Sequence, residues 1–100
     1  MAADRRVVRV SAGFFDQLDA LLGSERGPSG EPSAADFVVI ELPAVVERFA
    51  TDFDGLPEFI NGTPTGRVLI AAGLLVQAFA VYGILMTDGA IELVGITVDN

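Results

Sequence analysis

Hydrophobic positions follow a helical period in the first half of the chain and a strand-like one in the second. Phe14, Leu18, Leu21 and Leu22 recur at i, i+4, i+7 and i+8, with Asp16, Gln17 and Asp19 between them. That spacing lays one apolar stripe along an amphipathic helix. Ser11 is placed to cap it and Gly23 to end it. Ahead of it, residues 6–10 are short, β-branched and alternating, which predicts an edge strand. Residues 23–33 are rich in Gly, Pro and Ser and predict a flexible connection. A second helical stripe is drawn by Val38, Leu42, Val45, Val46, Phe49 and Phe53. It opens on Ser33-Ala34-Ala35-Asp36, a capping box with Asp in place of Glu or Gln. Pro43 falls inside it and removes one backbone donor. Two readings compete there. One is a single helix kinked at Pro43. The other is a strand over 37–42 followed by a helix that takes Pro43 at its first position. The capping box and the continuing period favour the kinked helix.

After a loop over 55–66 that holds Pro57, Asn61-Gly62 and Pro64, the pattern changes to apolar, strand-like runs at 68–72, 74–86 and 90–98. Ala72-Gly73 suits a type I turn with the glycine in the left-handed position, and Asp88-Gly89 a two-residue type I′ hairpin. Pairing across that hairpin sets Met86 opposite Ile91, Ile84 opposite Leu93 and Tyr82 opposite Gly95, with Gly83 a candidate bulge. In this register Met86, Ile84, Ile91 and Leu93 share one face. Leu85, Val81, Val94, Ile96 and Val98 lie on the other. The expected fold class is α+β, with two helices packed on one face of a small antiparallel sheet in the order β-α-α-β-β-β. A rival reading comes from residues 68–86, which carry no charge and are long enough for a transmembrane helix. Gly73 and Gly83 divide that run where turns or bulges would fall, and 90–98 needs a strand partner.

Composition narrows the chemistry. A chain of 100 residues with 51% hydrophobic content supports one domain, 1–100, with its own core. It has no cysteine and no histidine, so no disulfide, thiolate metal site or Ser-His or Cys-His nucleophile can be built from it. Fourteen carboxylates face six cations, all of them arginine, for a net charge of −8. That balance disfavours broad binding to nucleic acid. No apolar run near Met1 is long enough for a signal peptide, so a cytoplasmic location is expected. Asn61-Gly62-Thr63 fits a glycosylation sequon but reads as a turn. Asp52 and Asp54 form a carboxylate pair without calcium-loop spacing, and Glu41 and Glu47 do not share a helix face. The glycines fit neither phosphate-binding fingerprint, so no metal or cofactor is expected. Arg5, Arg6 and Arg9 cluster at the N-terminus, where charge would discourage sheet-to-sheet pairing. Arg67 is the one cation after Arg48 and opens the first strand of the meander. It suits either an anion contact or a salt bridge.

The succession of Val8-Arg9-Val10-Ser11 with Phe15, Leu18 and Leu22, then Gly66-Arg67-Val68-Leu69-Ile70, Tyr82, and Ala90-Ile91-Glu92-Leu93-Val94-Gly95-Ile96, resembles the RelE/ParE superfamily of toxins from toxin–antitoxin pairs. The resemblance covers most of the chain. It implies a toxin-like component of a type II module, with a cognate antitoxin-like protein or a second copy as partner. RelE-like members cleave ribosome-bound mRNA with clustered basic residues. ParE-like members act on a protein, DNA gyrase. The resemblance makes Arg67 and Tyr82 the candidate catalytic residues for the nuclease alternative. The other basic positions are empty here, which removes the largest electrostatic term of that chemistry. Action by protein–protein contact therefore fits the charge better than cleavage. A non-enzymatic interaction module is the third reading.

Overall fold

The computed structural model describes residues 5–23, 27–28, 30 and 32–99. The elements run β1 (Val8–Val10), α1 (Ala12–Leu22), α2 (Ala34–Ile40), α3 (Leu42–Asp52), a 3-10 turn (Phe53–Gly55), β2 (Gly66–Ala72), β3 (Ala78–Leu85) and β4 (Ile91–Asp99). Part of the connection predicted over 23–33 lies outside the described residues. The class is α+β as expected, and no described helix is long and apolar enough to cross a membrane. The run 68–86 is instead most of β2, a turn and all of β3.

The helix signals are local, and each finds its partner. The Ser11 side chain accepts from the Phe14 N–H at 3.1 Å. Ser33 and Asp36 form the reciprocal capping box. The helix expected to kink at Pro43 is two helices joined at Glu41. Pro43 has no N–H, and its ring displaces the carbonyl four residues back, so the ladder breaks just upstream. The break resets the helical phase. Phe37 is fully buried, and Val38, which the unbroken period favours, only partly. A strand over 37–42 is excluded.

The sheet order is β1-β4-β3-β2. It is mixed rather than antiparallel, because β1 joins β4 in parallel, Val8 beside Ile91 and Val10 beside Leu93. Hairpin signals between neighbouring strands say nothing about this pairing across most of the chain. It continues one step past β1, where the Ser11 N–H reaches the Leu93 carbonyl at 3.1 Å.

The two turns differ from expectation. Residues 73–77 separate β2 from β3, and Gly73 does not take a positive φ. Between β3 and β4 the Gly89 N–H bonds to the Met86 carbonyl and the Met86 N–H to the Ala90 carbonyl. Only Gly89, at φ +89°, is left-handed. This is a three-residue loop, a type I turn closed by a glycine bulge, and not a type I′ turn. The extra residue shifts the register by one, so Leu85 faces Ile91 and Gly83 faces Leu93. An irregularity at Tyr82/Gly83 then skips Val94 and restores the expected pairing of Tyr82 with Gly95. Ile91 and Leu93 consequently share the core face with Val81, Leu85, Ile96 and Val98. Ile84 and Val94 turn to the opposite face.

One core fills the space between the helices and this face. Phe14, Leu18, Phe37, Val45, Phe49, Val81, Ile91 and Leu93 are its most deeply buried side chains. Phe49 presses on the sheet backbone at Gly83, where a Cβ would lie 2.5 Å from its ring.

Candidate functional site

Arg67 and Tyr82 come from adjacent strands, but they do not converge. Arg67 pairs with Gly83 and Tyr82 with Val68, so the two side chains stand on opposite faces of the sheet. The Arg67 guanidinium is spent on backbone. Its Nε donates to the Pro64 carbonyl at 2.8 Å. One terminal nitrogen donates to the carbonyls of Leu56 at 2.8 Å and Asp54 at 2.9 Å. The group also lies 5.4 Å from the centre of the Phe53 ring. Arg67 therefore ties the 3-10 turn and the loop after it to the start of β2. Among the described residues it makes no salt bridge, and its Nε and one terminal nitrogen are taken by backbone carbonyls. Arg6 sits at the same distance from Phe53 and reaches Asp54 at 3.4 Å.

Tyr82 packs edge-to-face on Phe59, with ring centres 5.4 Å apart at 88°. Phe59 arrives from the loop, where the Val68 N–H bonds to the Pro57 carbonyl at 2.9 Å and Glu58 bridges to Arg67. The Asn61-Gly62 turn forms as predicted, with Gly62 at φ +87°. Its N–H donates to Glu58 at 2.9 Å.

The other charged candidates, Glu41 apart, are held in ion pairs. Arg5 binds Glu47, and Arg9 binds Asp88 at 2.9 Å with Glu92 at 3.8 Å. The hydrogen bond from Arg5 holds the Glu47 carboxyl below its ordinary range. Arg9, joined by the Ala90 N–H, does the same for Asp88. These pairs coat β1, the edge strand, with charge. Asp52 pairs with Arg48 one helical turn away at 3.0 Å. Glu41 is buried at the α2–α3 junction, where it accepts the Leu75 N–H at 2.8 Å. No group of three or more metal-ligating side chains occurs among the described residues.

The sheet face turned away from the helices carries a different kind of site. It presents Ile70, Ala80, Tyr82, Ile84 and Val94, all at least partly exposed, with Ile70 68% exposed. Its charged border is the Arg9–Glu92 pair on the β1 side and Asp99, opposite Ala78, at the end of β4. The sequence pattern predicted two apolar sheet faces with helices packed on one, but through the shifted register it assigned Ile84 and Val94 to different sides. Comparison with family models, with curated proteins and with solved structures finds no match for this chain.

Proposed function

We propose that this chain is a cytoplasmic toxin-like component of a toxin–antitoxin pair that works by protein–protein contact. The observation that carries the reading is the apolar sheet face of Ile70, Tyr82, Ile84 and Val94. Three helices cover the opposite face, and residues 57–59 cover one corner of this one. An exposed apolar face on a small domain marks an interaction surface. The net charge of −8 favours a partner whose apolar anchors are flanked by Arg or Lys. Mutual burial by a second copy is the simplest alternative cover. The mRNA endonuclease reading is weaker, because Arg67 is engaged by backbone carbonyls and stands across the sheet from Tyr82.

The test is controlled expression of the chain alone in a bacterial host. The expected result is growth arrest with intact translating mRNA, relieved by the product of the adjacent reading frame, which co-purifies with the chain. Normal growth, with no co-purification, removes the toxin reading. Codon-specific mRNA cuts that disappear in Arg67→Ala restore the endonuclease instead.

A further inference from the structure

Sheet edges are places where chains meet, and this fold covers its edges unequally. The β4 edge beyond β1 is occupied by α1. There Gln17 accepts the Ile96 N–H at 3.1 Å and donates to the Val94 carbonyl at 3.4 Å, as a neighbouring strand would. The β1 edge is three residues long and flanked by Arg5, Arg6 and Arg9. Among the described residues, the β2 edge is covered only at its start, by residues 57–59. Gly66 and Val68 turn their backbone groups outward to Phe59 and Pro57. The strand period then turns those of Ile70 and Ala72 outward as well. The outward N–H and C=O of Ile70 and the N–H of Ala72 have no partner among the described residues. Residues 69–72 carry no charge and no proline, the usual protections of an edge. Beside them, on the helix side, is a hollow of about 270 Å³ lined by Ile40, Ala44, Arg48, Leu69, Ala71 and Leu74.

We propose that this open half of β2 binds an extended, cationic segment of another protein, which joins the sheet as a further strand. Backbone pairing at Ile70 and Ala72 supplies the affinity, and the hollow takes one apolar side chain of the segment. The chain performs the same pairing on itself with residues 57–59, in line with the open stretch. A second copy fits poorly. A two-fold pairing centred on Ile70 would set the partner's Ala72 opposite Val68, where Pro57 already sits, and one centred on Ala71 would join only Ile70 and Ala72 of each copy. It would also bring together two chains of charge −8. The same charge selects a segment with Arg or Lys beside its apolar residues. The proposal rests on the reading of the chain as an interaction protein, and not on toxicity.

The experiment titrates the full isotope-labelled chain with a blocked heptapeptide of alternating arginine and valine. The expected result is saturable binding, with resonance shifts and slowed amide exchange centred on Ile70 and Ala72. Ile70→Pro removes one outward donor at an edge position that tolerates proline, and should weaken binding by about tenfold or more. A melting curve checks that this variant folds. The same peptide N-methylated throughout should not bind, and that arm needs no variant protein. Absence of binding by the parent peptide, equal binding of the methylated one, or shifts confined to Tyr82, Ile84 and Val94 would each overturn the proposal. A dimer of the chain alone that Ile70→Pro abolishes assigns the edge to a second copy and overturns the choice of occupant. Growth arrest plays no part in these readouts, so the toxin reading can fail while the edge site stands.

Discussion

Arg67 shows how a residue chosen for chemistry can turn out to be structural. Its side chain gathers carbonyls from Leu56, Asp54 and Pro64, which three separate steps of loop would otherwise leave unpaired by protein. Hydrogen bonds to a charged donor are worth about 1.5–3 kcal/mol, so Arg67→Ala should lower unfolding free energy by about that amount in urea. Lysine cannot span the same acceptors, because it lacks the planar fork of donors, so Arg67→Lys should recover less than half of the loss. A variant as stable as the parent would show that the carbonyl contacts carry no net weight. Gly83 is limiting for the opposite reason. Its missing Cβ is the space the fully buried Phe49 ring uses. Neither the ring nor the strand can retreat in a packed core, so Gly83→Ala should cost about 1–3 kcal/mol by overpacking. The same measurement decides, and a neutral effect would mean that the ring has room to turn.

Elements whose signals are carried by neighbouring residues were legible in the sequence, and elements fixed by distant partners were not. Ser11, the Ser33–Asp36 box and the Asp88-Gly89 turn act within four residues of themselves, and each marks its element, the turn with three residues instead of two. The register of the last hairpin failed on a single residue of loop length, since two-residue and three-residue turns can both be built around Asp-Gly. The skipped residue at Val94 compensates for that shift, which is why Tyr82 and Gly95 pair as expected while Leu85 and Ile91 do not. The parallel contact of β1 with β4 and the carbonyls around Arg67 leave no local trace at all. The turn also has an electrostatic element. Asp88 ionises more readily in the folded chain because Arg9 and the Ala90 N–H hold its carboxylate. A carboxyl with a lowered folded pKa contributes stability above its unfolded pKa of about 4 and loses it as pH falls through the lower folded value. Arg9→Ala should therefore melt below the parent at neutral pH, and the two curves should converge in strong acid. A gap that persists unchanged into acid would assign the effect of Arg9 to packing rather than charge.

At the scale of the whole molecule, charge and apolar surface point in different directions, and salt separates their consequences. The chain carries −8, yet the face of Ile70, Tyr82, Ile84 and Val94 has its charges at the border, in the Arg9–Glu92 pair and at Asp99 beside Ala78. Two copies meeting on that face gain apolar burial but bring two acidic bodies together. A basic partner gains burial and attraction at once. Added salt shortens the screening length from about 10 Å at 0.1 M to about 3 Å at 1 M, which weakens both long-range terms and leaves burial almost untouched. Self-association, if it occurs, should therefore strengthen as salt rises. Binding of a basic partner should weaken over the same range. Light scattering on the isolated chain reads the first slope, and titration with the partner reads the second. Replacing Ile84 and Val94 together by serine should reduce both associations at every salt concentration while leaving the melting curve close to that of the parent, since neither side chain belongs to the core. Association of the isolated chain that weakens with salt would mean that complementary charges, rather than this neutral face, hold the copies together, and would move the contact to the arginine-lined edge at β1.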